Sequence, residues 1–256
     1  MKQRVVAIAN QKGGVGKTVT AVNLATGLAM AGMRVALVDI DPQGDATMCM
    51  GIEHASVTDE LSSLLLMSPA YLSEPVVSSI VKQAYGVDII PSTVRLSSVE
   101  REVQYNRDYR LRNVLRFLTH DVIVIDCATT LSFLLINALS AATDIIIPTE
   151  PEPLSIAGIA QIMDTVRAVR NELNPSLSVL GIVPTMVKAN TRLHSDMMRG
   201  VSDAFGTQVF SSAIRQLVVI SESTARHVPV IKYAPSSEGA RDYLAFVDEV
   251  RRKLNG

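Results

Sequence analysis

The sequence predicts one doubly wound α/β domain over residues 1–256, with a mostly parallel sheet and helices on both faces. Short β-branched runs alternate with longer helical patterns, as a series of βαβ units requires. Those runs are apolar on both faces, as strands covered by helices on each side must be. No Gly/Ser/Pro-rich linker, low-complexity tract or internal repeat divides the chain. With 256 residues, 48% of them hydrophobic, it can bury a substantial core.

In chain order, the predicted strands are 4–9 (RVVAIA), 34–39 (RVALVD), 87–91 (VDIIP), 121–126 (DVIVID), 144–149 (DIIIPT) and 178–184 (SVLGIVP). A helix opens near Thr18, with Val22, Leu24, Ala25 and Leu28 as its apolar positions. Leu111, Val114, Leu115 and Leu118 recur at i, i+3, i+4 and i+7 and form one buried helical stripe. The last helix sets Ala240, Tyr243, Leu244, Val247, Val250 and Leu254 against Arg241, Asp242, Asp248 and Glu249. Its apolar face ends at Leu254 without an aromatic or basic tail, so packing on the sheet is expected rather than a membrane surface. In doubly wound sheets ligands bind beyond the carboxyl ends of the strands, so the residues after Ala9, Val38, Ile125 and Pro148 are expected to surround one site.

Cys49 and Cys127 occur without a CxxC or a histidine cluster, which argues against a disulfide framework or a zinc site. No apolar run approaches the roughly 18 residues of a spanning helix, and the N-terminus lacks the apolar stretch of a signal peptide, so a soluble cytoplasmic protein is expected. The net charge of -1 hides an asymmetry: residues 1–187 hold 14 Lys+Arg against 18 Asp+Glu, and residues 188–256 hold 10 against 7. The last quarter is mildly basic.

The first strand runs into QKGGVGKTVT (11–20). The pattern G-x-x-x-x-G-K-[ST] needs glycine at position 11, where Gln11 stands, so a variant K-G-G-x-G-K-T is present. Its physical parts survive. Gly13, Gly14 and Gly16, around Val15, let backbone N–H groups turn inward as an anion nest, Lys17 reaches the β and γ phosphates, and the Thr18 hydroxyl is placed for Mg²⁺. A buried strand before the loop and an amphipathic helix after it supply the context a nucleotide site needs.

The second strand ends in DIDPQGDAT (39–47). Acids at i and i+2 on an extended segment point to one side, so Asp39 and Asp41 are both expected near the phosphate end. Asp41 is assigned to Mg²⁺ and to orienting the attacking water, although Asp-Pro-Gln-Gly is also a good turn signal that Asp41 alone would start. Asp126, after VIVI, fits a Walker B carboxylate holding a water on Mg²⁺.

Together with KGGVGKT, the stretches VDIDPQGDAT, VIVIDCATTLS, PTEPEPLSIAGI and AIRQLVVISESTARHVPVIKYAPSSEGARDYLAF resemble the ParA/MinD family of deviant Walker ATPases. Within it, the likeness is nearest to ParA (Soj-like) partition proteins without an N-terminal DNA-binding domain. The resemblance implies a P-loop ATPase using ATP and Mg²⁺, with Lys12, Lys17 and Asp41 as catalytic residues. Lys12 becomes the signature lysine, crossing a two-fold interface to the nucleotide of the other subunit in a homodimer that sandwiches ATP. It also places the base near Thr185, Met186, Ala213 and Ile214. Three departures stand out: Val19 replaces a second threonine and keeps only its backbone donor, Ala128-Thr129-Thr130 replaces Pro-Pro-Ser, and Asp45 replaces asparagine.

For a ParA-like chain the resemblance further implies double-stranded DNA binding without sequence preference in the ATP state, and a ParB-like adaptor that stimulates hydrolysis. Arg192, Arg215, Arg226 and Lys232 are the leading candidates for DNA phosphates, with Arg199 and Arg241 behind them. The implied place is the nucleoid in the cytoplasm and the implied cargo a plasmid or chromosome. Relatives that position protein assemblies such as carboxysomes, and membrane-associated MinD-like regulators, share the same core. The latter need an amphipathic tail after the last packed helix, and the sequence ends at Gly256.

Overall fold

The computed structural model describes residues 2–102, 106–153, 155–188 and 192–255, with backbone alone at 100, 102, 192–195, 198 and 207. A seven-stranded sheet forms the centre: β1 (Arg4–Ile8), β2 (Val35–Ile40), β3 (Lys82–Ala84), β4 (Val87–Ile90), β5 (Val122–Cys127), β6 (Asp144–Thr149) and β7 (Ser178–Pro184). The spatial order is β3-β4-β2-β5-β1-β6-β7. Every neighbouring pair is parallel except β3 and β4.

The six expected strands are present, most of them shifted by a residue at an end, and the expected doubly wound sheet is the observed one. β3 is an addition. It is a three-residue edge strand returning through Tyr85 (φ 52) and Gly86 (φ 80), the pair of positive φ values that a two-residue hairpin turn requires.

Alternation along each strand divides the interior into two layers. Val5 and Ala7 face one layer with Ala36, Val38, Ile123 and Ile125, covered by helices that include Arg110–Leu115, Phe133–Ala141 and Ser155–Glu172. Val6 and Ile8 face the other with Leu37 and Val124, covered by helices Lys17–Met30 and Glu238–Asn255. The stripe Leu111, Val114, Leu115 and Leu118 is buried as its spacing predicts, the last residue lying beyond the helix end. The C-terminal helix buries Ala240, Tyr243, Val247, Val250 and Leu254 inside the domain, as its pattern predicts. Among the described residues, no helix is long and apolar enough to cross a membrane.

The two helices of the second layer approach so closely that Gly27 is required. A Cβ there would lie 2.5 Å from Val247 Cγ2, 3.2 Å from Cγ1 and 3.3 Å from Cβ, so Val247 must move, and rotation alone leaves its Cβ in tight contact. Gly27→Ala should therefore lower stability by about 1–3 kcal/mol through overpacking, although alanine in a helix interior is otherwise worth about 0.5–1 kcal/mol over glycine. Urea denaturation should show the loss and its partial recovery in Gly27→Ala/Val247→Ala. A more stable Gly27→Ala protein would contradict the packing argument.

Candidate active site

Parallel strands send their carboxyl ends to one edge, and there the loops after β1, β2, β5 and β6 converge. Asn10 Nδ2 donates to the Pro148 carbonyl (2.7 Å) across β1 and β6, and Asn10 Oδ1 accepts from the Lys12 amide (3.0 Å). Gln11 Nε2 donates to Thr165 Oγ1 (2.8 Å), fastening the loop to helix Ser155–Glu172. Gly14 (φ 75) and Gly16 (φ 77) hold the left-handed conformations that turn the loop back on itself, and Gly16 caps helix Lys17–Met30. Apart from its chain neighbours, no heavy atom among the described residues lies within 4 Å of where a Gly14 Cβ would stand, so the loop faces open space there. The buried Val15 is held by its carbonyl, which accepts from Thr185 Oγ1 (2.8 Å).

Lys17 is buried at the first turn of its helix and donates to Thr129 Oγ1 (2.8 Å). Burial lowers its pKa against the opposing pull of Asp126. Asp126 is fully buried, and burial and then the neighbouring Asp39 push its carboxyl well above the ordinary range. Thr18 lies beside it and draws the value down in part. Neither oxygen of Asp126 finds a hydrogen-bond partner within normal distance among the described residues. A buried carboxylate without a hydrogen-bond partner among the described residues, beside a threonine hydroxyl, supplies the oxygen donors a hard divalent cation takes, so the residues present fit Mg²⁺.

Asp39 and Asp41 do not share a role. β2 ends at Ile40, so Asp41 lies past the strand and the rule that places i and i+2 on one side lapses there. Asp39 is fully buried and spends its carboxylate on the protein. It accepts from the Thr47 amide (2.8 Å), the Thr47 hydroxyl (2.7 Å) and the Asp41 amide (3.2 Å). Burial raises its pKa to about 6, with those donors pulling the other way. Asp41 is partly exposed, and its Oδ1 accepts from the Gln43 amide (3.0 Å), the turn-starting contact that Asp-Pro-Gln-Gly allows.

Lys12 forms an ion pair with Glu152, which follows β6. A cavity beside the loop is lined by Gly16, Val19, Thr185, Met186, Ile214 and Tyr243, among others, so three of the four residues named for the base lie together there and Ala213 does not line it. Met186 adopts a positive φ of 53 there. A larger cavity at the amino edge of the sheet, between Arg34, Asp88 and His120, contains none of the loop residues.

The four leading basic candidates separate. Arg226 and Lys232 are exposed, and the Arg192 side chain lies outside the described residues. Arg215 is turned inward: Nη2 (2.7 Å) and Nε (2.9 Å) donate to Asp242, and Nη1 donates to Glu238 (3.0 Å). Those carboxylates raise its pKa and offset its charge, while 33% of its side-chain surface stays exposed, so in this structure the charge expected to meet DNA phosphates is held by Asp242 and Glu238. Sequence reasoning missed Thr129, Thr47, Glu152 and Asp242, each a partner brought in from another segment.

The fold, the glycine-rich loop at the end of β1 and the Asp126 carboxylate define a P-loop nucleotide hydrolase. Residues 3–179 match a family model described as an AAA domain. The sporulation initiation inhibitor protein Soj of Bacillus subtilis is 39% identical over 251 residues, covering 96% of this chain and 98% of that protein. The chromosome partitioning protein ParA of Caulobacter vibrioides is 38% identical over 254 residues, covering 96% and 93%. A crystal structure described as cobyrinic acid a,c-diamide synthase from Mycobacterium smegmatis, with bound ADP and magnesium, superposes with a TM-score of 0.85 at 31% identity, covering 99% of this chain and 96% of that one. The chain belongs to the ParA/MinD family of P-loop ATPases.

The Asp39–Thr47 link gives a direct test of how the segment after β2 is held. Thr47 Oγ1 also accepts from the Ser92 amide (3.0 Å), so Thr47→Val removes one of the two Thr47 donors to the buried Asp39 Oδ2 and strands the Ser92 N–H. The expected cost is about 1–3 kcal/mol in chemical denaturation, with Thr47→Ser close to wild type.

Proposed function

We propose that this chain is an ATP-dependent dimerising ATPase that binds double-stranded DNA without sequence preference and partitions plasmid or chromosome cargo with an adaptor protein that stimulates hydrolysis. The observation that carries the reading is the loop itself. Two lysines five residues apart have opposite settings, Lys17 buried beside Asp126 and Lys12 at the rim against Glu152. One lysine suffices for the phosphates of its own subunit, and a second at the rim is placed to serve a neighbour's.

In this reading Lys17 exchanges Thr129 for the β and γ phosphates of ATP, and the amides of Gly13–Val19 line the phosphate path. Thr18 and Asp126, with Asp41 beyond them, would hold Mg²⁺, which when bound offsets the charge that builds on the phosphates. Asp41 orients the attacking water, a role its partial exposure allows. Lys12 leaves Glu152 and crosses the two-fold interface. The base occupies the cavity formed by Val19, Met186 and Ile214. Soj and ParA, at higher identity than the diamide synthase, support partition as the use of the hydrolysis cycle.

DNA binding follows from dimerisation rather than from one protomer, because a net charge of -1 gives a weak overall field. Arg192, Arg226 and Lys232 supply the phosphate contacts, and pairing two protomers doubles that footprint. The nucleoid is the expected place of action.

Light scattering with ATP and Mg²⁺ tests the central step. The wild-type mass should double, whereas Lys12→Ala should stay at the monomer mass and lose at least tenfold in DNA affinity at matched salt. A Lys12→Ala protein that still doubles its mass would remove Lys12 from the interface.

A further inference from the structure

Resting on the nucleotide-binding reading, we propose that Asp242 is a positioning residue for the base end of the site, where it holds the wall formed by Ile214–Leu217 through the Arg215 backbone and side chain. The wall begins as an extension of the sheet. Phe210 donates to the Ile182 carbonyl (2.8 Å), Ile214 to that of Pro184 (2.8 Å) and Gln216 to that of Val187 (3.0 Å), while the Val187 amide donates to Ile214 (3.0 Å). One edge of the segment is thereby paired along β7 and its continuation.

The other edge is held by carboxylates of helix Glu238–Asn255. Glu238, Asp242 and Glu249 are spaced by four and seven residues, which places them on one helix face. Glu249 accepts from the amides of Ser211 and Ser212 (2.9 Å each) and from the Ser212 hydroxyl (2.7 Å). Asp242 accepts from the Arg215 amide (3.1 Å) and from two nitrogens of its guanidinium, and Glu238 takes the third. A bidentate carboxylate–guanidinium pair fixes direction as well as distance, and here the same carboxylate also fixes the backbone. Asp242 keeps only 12% of its side-chain surface exposed.

The next residue, Tyr243, is buried and lines the cavity with Gly16, Val19, Met186 and Leu217. The lining is mostly apolar, which suits a heteroaromatic base, and the Arg215 guanidinium is paired with Asp242 and Glu238. The C-terminal helix does not need Asp242 for its own docking, since Val247 against Gly27 and Glu249 against Ser211 and Ser212 anchor it elsewhere. Loss of Asp242 therefore loosens the wall and leaves the helix in place.

The test compares ATP, which has a base, with inorganic tripolyphosphate, which has none, in calorimetric titrations of the full chain with Mg²⁺. For Asp242→Ala the ATP dissociation constant should rise about tenfold, while that for tripolyphosphate and the kcat at saturating ATP stay within twofold of wild type. Asp242→Asn, which preserves the side-chain shape, should show the same selective loss to a smaller degree and serves if the alanine variant fails to fold. Unchanged ATP affinity, or equal weakening of ATP and tripolyphosphate, would overturn the inference while leaving the nucleotide site intact. A wild-type chain that binds neither ligand would overturn the nucleotide reading and this inference with it.

Discussion

Two carboxylates, Asp39 and Asp126, lie side by side in register on neighbouring central strands, both fully buried, and the site is organised around them. Removing such groups from water is costly unless each finds donors or a cation. Asp39 is satisfied from within, by the amide and hydroxyl of Thr47, which draws helix Asp45–Cys49 onto the end of β2. Ser92 extends the tie to the segment after β4, donating its amide to Thr47 and its hydroxyl to the Asp41 carbonyl (2.8 Å). Among the described residues Asp126 has no such donors within normal distance, and Lys17 with Thr18 is what the loop sets against it. The same burial thus makes one aspartate a structural strut and leaves the other open to a cation.

The strands were legible because burial on both faces is written as continuous β-branched runs, and the loop because Gly14 and Gly16 stand where positive φ is needed. Lys82–Ala84 was not legible: three residues of mixed polarity carry no period, and Tyr85 enters the turn with a positive φ that its identity does not announce. Asp39 and Asp41 look equivalent by spacing, and only the end of the strand at Ile40 separates them. The partners of Arg215 were not legible for a different reason. They lie 23 and 27 residues further on, and a charged side chain in a basic segment carries no mark of the carboxylates that the fold will bring to it.

The C-terminal helix shows how one element serves two ends. Its apolar stripe was visible as a period and packs on helix Lys17–Met30, which carries Lys17 and Thr18. Its acidic residues read as a solvated face, yet Glu238, Asp242 and Glu249 all bond to the 211–215 segment. The helix therefore supports the helix that carries Lys17 through its apolar face, and reaches the base end through Tyr243 and its carboxylates. The distance between those two ends is set by one rigid body.

The Lys12–Glu152 pair bears on how readily the proposed dimer forms. Lys12 keeps 30% of its side-chain surface exposed and Glu152 keeps 44%. Ion pairs this accessible are worth about 0–1 kcal/mol each, so releasing Lys12 in both protomers shifts a dimerisation equilibrium by no more than roughly thirtyfold. A lysine brought against a nucleotide phosphate inside a closed interface gains more than that, since water is excluded and the partner carries several negative charges. On the proposed reading Glu152 restrains Lys12 in a single protomer without preventing its transfer, and nucleotide in the neighbouring subunit would decide which partner it takes.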